Sequence, residues 1–345
     1  VTDERRADPR RWPSLTKAIK GLGAQMMPGG SEPDRADSVA TPSDSRSAQR
    51  PPPAGSAQRG YAPVRQCPSP VNSASAALAA DAGMIANAWL YAASAAGLSH
   101  AVEGVRREDA YAADIIDEKT CVIAVGDGLG STANASLAST AAVLTFTASV
   151  RLANAGGGSW ENTARAAVRE VNHQIDAIQR RAKAEHRTAP TGTADRGKST
   201  MAPKSTLTGF VLRHDGDRTS VFWAAYGDSP LLILSLSTRT WHWVSGQPTD
   251  PPTAATAALP GDENRLQVGF LALSADQVVV AASDGVGDAI ALAPNDFAKA
   301  LAEAWDTQVS AAKFATLLDF EIDGLHDDRT IVMVRGWTPG MFGSR

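Results

Sequence analysis

The chain has 345 residues, 43% hydrophobic and 20% charged, which is enough apolar sequence for one large folded domain or two ordinary ones. A net charge of −4 argues against nucleic acid as the main partner, since that role calls for a basic face. The two cysteines, Cys67 and Cys121, are far apart and form no CxxC, which argues against a disulfide framework or a thiolate zinc site; no run approaches eighteen apolar residues, so no transmembrane segment is expected.

The opening VTDERRADPRRWPSL lacks the apolar stretch of a secretory signal, so the default expectation is a cytoplasmic protein. Residues 1–82 read as a disordered arm rich in proline, serine and arginine. Eleven of the 20 prolines fall within the first 75 residues, and such a composition buries too little apolar surface to offset its chain entropy. Residues 1–80 hold 11 Lys and Arg against 7 Asp and Glu, a surplus of 4, so the remainder must carry −8 to give the chain's −4. Within the arm, Trp12, Leu15, Ile19, Leu22 and Met26 recur at helical spacing and form a candidate docking face for a partner, weakened by Gly21 and Gly23.

A folded domain is expected over 83–338, followed by a short tail, 339–345. AWLYAASAA, DAYAADII and TCVIAVGD read as strands. Residues 133–154 are alanine-rich and nearly apolar, which predicts a buried helix. Residues 160–187 are amphipathic, with Ala164, Ala167, Val168, Val171, Ile175 and Ile178 on the inner stripe. A polar loop, TAPTGTADRGKSTMAPK, follows. Then come strands TLTGFVLR, TSVFWAAYGD, PLLILSLS and TWHWVSG, a long loop GQPTDPPTAATAALPGDEN, strand QVVVAASD, helices PNDFAKALAEAW and SAAKFATLLDFEI, and a last strand RTIVMVRG. Strand runs separated by helix pairs predict an α+β layered domain.

Carboxylates gather at the ends of these strands. Asp127 closes CVIAV and precedes Gly128; Asp284 closes QVVVAAS and precedes Gly285. Asp327 and Asp328 precede RTIVMV, and Glu108 and Asp109 open DAYAADII. Aspartate favours turns in its own right. Two repeats of an apolar strand followed by Asp-Gly point further, because clustered carboxylates repel unless a cation lies between them, and hard divalent ions such as Mg²⁺ and Mn²⁺ take oxygen ligands. GDGLGS also sits where a dinucleotide-binding loop would, between strand and helix. Ser131 stands where GxGxxG needs glycine, however, and Asp127 would face a pyrophosphate with negative charge.

The succession GLSH…RREDAY, VIAVGDGLGS, STLTGFVL, AAYGDSPLLIL, VVVAASDGVGD and DDRTIVMV resembles the protein phosphatase 2C family, in particular a bacterial branch whose first motif reads G-x-S-H…Q-D-A. The resemblance covers about residues 88–336. It implies a four-layer α-β-β-α sandwich of two antiparallel sheets flanked by helix pairs, with a two-metal centre at one end. It implies that Asp127 bridges two Mn²⁺ or Mg²⁺ ions, that the Gly128 carbonyl binds one, and that Asp284 and Asp327 bind the other. Glu108 and Asp109 match the acidic pair of the first motif, acting mostly through water, and Asp228 matches a motif of chiefly structural role.

The chain departs from the pattern in places. Leu129 replaces the histidine of some members, and Glu108 stands where the branch has glutamine. The aspartate that supports a third metal in some members is not evident before Ser205. His100 aligns with the phosphate-gripping arginine, and the next stretch, AVEGVRRE, reads as a longer loop. Arg106 and Arg107 in that loop are alternative candidates, since a guanidinium grips phosphate with a two-pronged fork. The implied activity is serine/threonine protein phosphatase: hydrolysis of phosphoserine and phosphothreonine, on a substrate phosphorylated by a protein kinase, by a water bridging two cations. The alternatives are a catalytically inactive binding module on the same fold, or a phosphatase dedicated to one regulatory protein.

Overall fold

All seven residues of strand β4 (Thr120–Gly126) are buried. A strand covered on both faces must lie between two layers, which is why TCVIAVG is a continuous apolar run rather than an alternating one. The computed structural model describes residues 77–104, 106–129, 134–153, 159–188, 202–216, 218–248, 256–322 and 324–337. The arm up to residue 76, with its candidate docking face, the tail 339–345, and most of the first polar loop lie outside the described residues.

Before β4 come β1 (Leu78–Ile85), β2 (Ala88–Ala95), α1 (Leu98–Glu103) and β3 (Ala110–Asp117). After it come β5 (Gly128–Leu129), α2 (Ala135–Ala153), α3 (Trp160–Thr188), β6 (Lys204–Ser205), β7 (Leu207–Asp215), β8 (Arg218–Tyr226), β9 (Leu231–Ser235) and β10 (Thr240–Ser245). The chain continues through β11 (Gln267–Leu273), β12 (Gln277–Ala282), α4 (Asp284–Leu292), α5 (Phe297–Asp306), α6 (Ala311–Ala315) and β13 (Arg329–Gly336). One sheet runs β1-β2-β13-β12-β9-β10 and the other β11-β8-β7-β4-β3, with antiparallel pairings throughout.

Three apolar layers hold the four structural layers together. Leu90, Ile123, Phe210, Val279 and Val332 fill the space between the sheets. On the β4 side, Val143 and Phe146 of α2 and Val168 and Val171 of α3 cover Val122, Val211 and Phe222. On the other side, Ile290, Leu301, Trp305 and Phe314 cover Tyr91, Leu232, Val280 and Met333. The fold is therefore the predicted α-β-β-α sandwich. Five of the six stripe positions of α3 are buried, and Ile178 is half-buried. By length and composition α2 would suit a bilayer, with mean hydropathy 1.3, but 56% of it is buried inside the fold as a core helix. Serine, threonine and Arg151 interrupt its apolar run in the sequence.

Several elements differ from the sequence expectation. The boundary at residue 82 falls inside β1, which is fully paired to β2 from Leu78↔Ala95 to Ile85↔Ala88. LAADAGMI has little β-branched or aromatic content, so its strand character comes from its neighbour. β11 was part of no predicted strand. DGVGDAIAL, assigned to no helix from the sequence, forms α4 after β12. The stretch predicted as a loop after His100 begins as the short helix α1, which Gly104 ends at φ 66°. The predicted helix over SAAKFATLLDFEI is only α6 and a 3-10 turn at Thr316–Leu318.

Candidate active site

The candidate site lies at one end of the sandwich, where strands of both sheets terminate. Ala110 of β3 pairs with Gly126 of β4, which places Asp109 and Asp127 side by side at the sheet edge. Ala282 of β12 pairs with Ile331 of β13 in the other sheet. Just beyond that pair, Ser283 N–H donates to the Thr330 carbonyl at 2.9 Å and Thr330 N–H to Ser283 Oγ at 2.9 Å, so Asp284 and Asp327 emerge together. Thus Asp109, Asp127, Asp284 and Asp327 approach from four strand ends, as predicted.

Asp127 is 6% exposed and Asp109 3%. Thr206 fixes the Asp127 backbone from both sides: Asp127 N–H donates to Thr206 Oγ1 at 3.0 Å, and Thr206 N–H donates to the Asp127 carbonyl at 2.9 Å. The Thr206 hydroxyl is in turn 2.6 Å from Ser229 Oγ, in the GDS motif. Gly128, in β5, pairs with Ser205.

Burial, and after it the charges of Asp109, Asp284, Asp327 and Asp228, hold the Asp127 carboxyl well above the usual range. Burial likewise raises Asp109, with Asp328, Asp284 and Asp327 adding to it and a hydrogen bond from Ser283 opposing. Asp284 is pushed up to about 7 by burial and then by Asp327, Asp228 and Asp288. Glu108 is raised to about 7 by burial, opposed by His100 and assisted by Asp328 and Asp327. The site therefore concentrates negative charge that the fold alone does not neutralise.

Asp109 Oδ2 is buried and makes no hydrogen bond among the described residues. An orphaned carboxylate oxygen is costly. Together with an all-oxygen donor set and mutual repulsion, it fits hard divalent cations. Among the described residues, no three His, Cys, Asp or Glu side chains stand close enough as placed to hold one metal ion together. Asp109, Asp127, Asp284 and Asp327 are the candidates to hold such ions, with Glu108 beside them.

The open side of the site is a cleft of about 410 Å³ lined by Ser99, His100, Asp284, Gly285, Asp288, Gly324, Leu325, His326 and Asp327. His100 Nδ1 lies 2.9 Å from Asp328 Oδ1. That hydrogen bond raises its pKa to about 9 against the effect of burial, with the charges of Asp328, Glu108 and Asp327 adding to the rise. The imidazole is thus cationic at neutral pH.

The two arginines are not among the cleft-lining residues. Arg107 is 8% exposed, and its Nη1 donates to the Ser94 carbonyl at 3.0 Å, which turns it into the interior against β2. Arg106 is exposed. Of the three candidate phosphate-gripping side chains, only His100 reaches the cleft.

Sequence reasoning also passed over Asp328, which is 2% exposed. Its Oδ1 accepts from Gly97 N–H at 2.7 Å as well as from His100, and its Oδ2 accepts from the N–H groups of Glu108 and Asp109. The doubled aspartate before RTIVMV was the available signal, but nothing in the spacing distinguishes the buried member. Ser99 Oγ donates to the His326 carbonyl at 2.7 Å, joining α1 to the turn before β13. Two glycines permit this close packing. A Cβ on Gly97 would come within 2.3 Å of the His326 and Asp327 carbonyl oxygens, and one on Gly285 within 2.2 Å of the Asp328 carbonyl oxygen.

Residues 96–319 match the family model described as Protein phosphatase 2C, a match that ends before Asp327 and β13. A search of curated proteins finds no match. Among solved structures, the chain is similar to the catalytic domain of serine threonine protein phosphatase PstP in complex with two manganese ions, at 20% identity over 72% of this chain and 97% of that one, TM-score 0.47. The Mycobacterium tuberculosis serine/threonine phosphatase PstP/Ppp gives 20% identity, 72% and 98% coverage, and TM-score 0.47. PppA, a key regulatory component of T6SS in Pseudomonas aeruginosa, gives 22% identity, 73% and 99% coverage, and TM-score 0.44. At these identities and TM-scores the likenesses add nothing to the family match.

Proposed function

The chain belongs to the protein phosphatase 2C family, and from that premise we propose that it hydrolyses phosphoserine and phosphothreonine on proteins in a reaction that depends on two divalent cations, Mn²⁺ or Mg²⁺. The observation that carries this reading is the set of mutually repelling carboxylates from four strand ends, Asp109 and Asp127 buried and Asp284 and Asp327 lining an open cleft. Such a site is unfavourable unless cations compensate it.

Bound there, two such ions would screen the phosphoryl dianion and make water a competent nucleophile at neutral pH. The chain's own residues do the holding and orienting. Asp127, buried and fixed by Thr206, would be a ligand to such ions, and the Gly128 carbonyl would support it. Asp284 and Asp327, on the cleft, would hold such ions as well, with Glu108 and Asp109 beside them. His100, charged and held by Asp328, orients the phosphate dianion. Neither Arg106 nor Arg107 is assigned that role. The substrate is a phosphoprotein made by a serine/threonine kinase.

The test is turnover of p-nitrophenyl phosphate and of a phosphothreonine peptide, with Mn²⁺ and with EDTA. Activity with Mn²⁺ that disappears in EDTA supports the proposal. Activity that survives EDTA removes the metal mechanism, and no activity with any divalent ion makes the chain a binding module on this fold.

A further inference from the structure

Asp328 and Arg329 are consecutive, both buried, and bond to different segments that flank the cleft. Asp328 gathers the phosphate end: Gly97 N–H, His100 Nδ1, and the backbone N–H groups of Glu108 and Asp109 all converge on its two oxygens. Arg329, 5% exposed, reaches the opposite way along the chain. Its Nη1 donates to the Leu318 carbonyl at 2.9 Å and its Nη2 to the Leu325 carbonyl at 3.2 Å. Its guanidinium carbon lies 4.0 Å from the centre of the Phe320 ring.

The segment that Arg329 grips is held also by Phe320, Ile322 and Leu325, which pack half-buried on the core, and by Ser99 at the His326 carbonyl, but Arg329 is the side chain that ties Leu318, Phe320 and Leu325 together. None of its described residues from Asp319 to His326 is buried. Leu325 N–H donates to the Ile322 carbonyl at 3.0 Å, closing a turn that carries Gly324 at φ 86°. Gly324, Leu325 and His326 then form one wall of the cleft. A wall without buried side chains of its own takes its position from its anchors. A planar guanidinium bonding two carbonyls while stacked on a ring is an anchor that few other side chains can supply.

We propose that Asp328 and Arg329 are positioning residues with separable duties: Asp328 holds the phosphate end of the cleft, and Arg329 holds the Gly324–His326 wall against which the polypeptide flanking the phosphoresidue lies. This rests on the phosphatase reading above. A small phosphoester needs only the phosphate end. A phosphopeptide needs the wall as well, so Arg329 sets the preference for protein substrates.

The experiment measures kcat and KM of the full chain at saturating Mn²⁺ on p-nitrophenyl phosphate and on a phosphothreonine peptide. The variants are Asp328→Asn, Arg329→Lys and Arg329→Leu, each with a thermal melt. Asparagine has the shape of Asp328 but only one acceptor oxygen, so kcat/KM falls on both substrates and their ratio stays at the wild-type value. Lysine keeps the charge but loses the fork, so the ratio of kcat/KM on peptide to that on the small ester falls about tenfold, through the peptide KM. An unchanged ratio in Arg329→Lys overturns the proposal, as does an altered ratio in Asp328→Asn. Should Arg329→Leu fail to fold, Arg329→Lys decides; if that too fails to fold, Arg329 is a structural residue and the proposal is wrong. A wild-type chain inactive on both substrates defeats the phosphatase reading itself, whereas an active wild type without the split defeats only this inference.

Discussion

The two sheets bring unlike halves to the same site. The β3–β4 half offers Asp109 and Asp127, both buried, with the Asp127 backbone tied in two directions to Thr206. The β12–β13 half offers Asp284 and Asp327, which line the open cleft, and Asp327 is exposed. A buried carboxylate cannot be relieved by water, so the first half depends on cations for compensation. An exposed one is partly screened already and is free to meet substrate. Depth, more than residue type, distinguishes the two halves, and under the proposed function it would make the buried half the tighter holder of ions.

Exchanging one carboxylate in each half tests this contrast most severely. Asp127→Asn should lower kcat by about 10³-fold or more, on the scale of losing a preorganised electrostatic group, and excess Mn²⁺ should not restore it. Asp327→Asn should lose less, and rising Mn²⁺ should recover much of the loss. Equal loss and equal rescue, measured as kcat against Mn²⁺ concentration, would erase the distinction between the halves.

His100→Ala comes next, with an expected drop in kcat/KM of about ten- to a hundredfold, the size of a lost charge-assisted hydrogen bond. Arg107→Ala should instead lower the melting temperature, because it removes the bond to the Ser94 carbonyl, and Arg106→Ala should change kcat/KM least. A larger kinetic effect at either arginine than at His100 would return the phosphate to that arginine.

The raised carboxyls of both halves also predict a pH dependence. Burial and neighbouring charges raise Asp109, Asp127, Asp284 and Glu108 above their unfolded values. The folded state therefore holds protons that the unfolded chain releases near pH 4. Their stabilising contribution is complete below that point and is lost as pH rises through the folded values, about 7 for Glu108 and Asp284. In EDTA the melting temperature should fall between pH 5 and pH 8, since each tenfold gain in a buried group's proton affinity on folding is worth about 1.4 kcal/mol. Saturating Mn²⁺ should flatten that slope. A melting temperature in EDTA that rises over the same interval would show that the carboxylates do not repel as inferred.

A modest effect is expected at Thr206. Thr206→Val keeps the shape and removes the hydroxyl that receives Asp127 N–H. Apparent Mn²⁺ affinity should weaken about tenfold, the lower end for a residue that orients a ligand. Unchanged affinity would mean that the strand alone fixes Asp127.

Much of this site was legible because its chemistry coincides with strand ends. Asp127 and Asp284 each follow an apolar run and precede glycine, a pattern that depends only on local sequence. What escaped depends on tertiary partners. Asp328 is important because four donors from two other segments converge on it, and none of them is near it in the chain. Arg107 was placed in a loop facing phosphate, yet β2 supplies a carbonyl that draws it inward. β1 shows the same limit in the fold: LAADAGMI is a strand because β2 runs beside it. Helix α2 lies where its alanine-rich, nearly apolar sequence predicted it, and α3 where its apolar stripe did.

Gly97 and Gly285 press on the backbone of residues 326–328 from two sides, each leaving no room for a methyl group. In a library covering every substitution at every position, these two columns should be empty even of alanine and serine. Neighbouring exposed positions such as Val102 and Leu292 should accept most of the alphabet. The tolerance map of the chain would then mark the rim of the site through two residues that contribute no side chain to it.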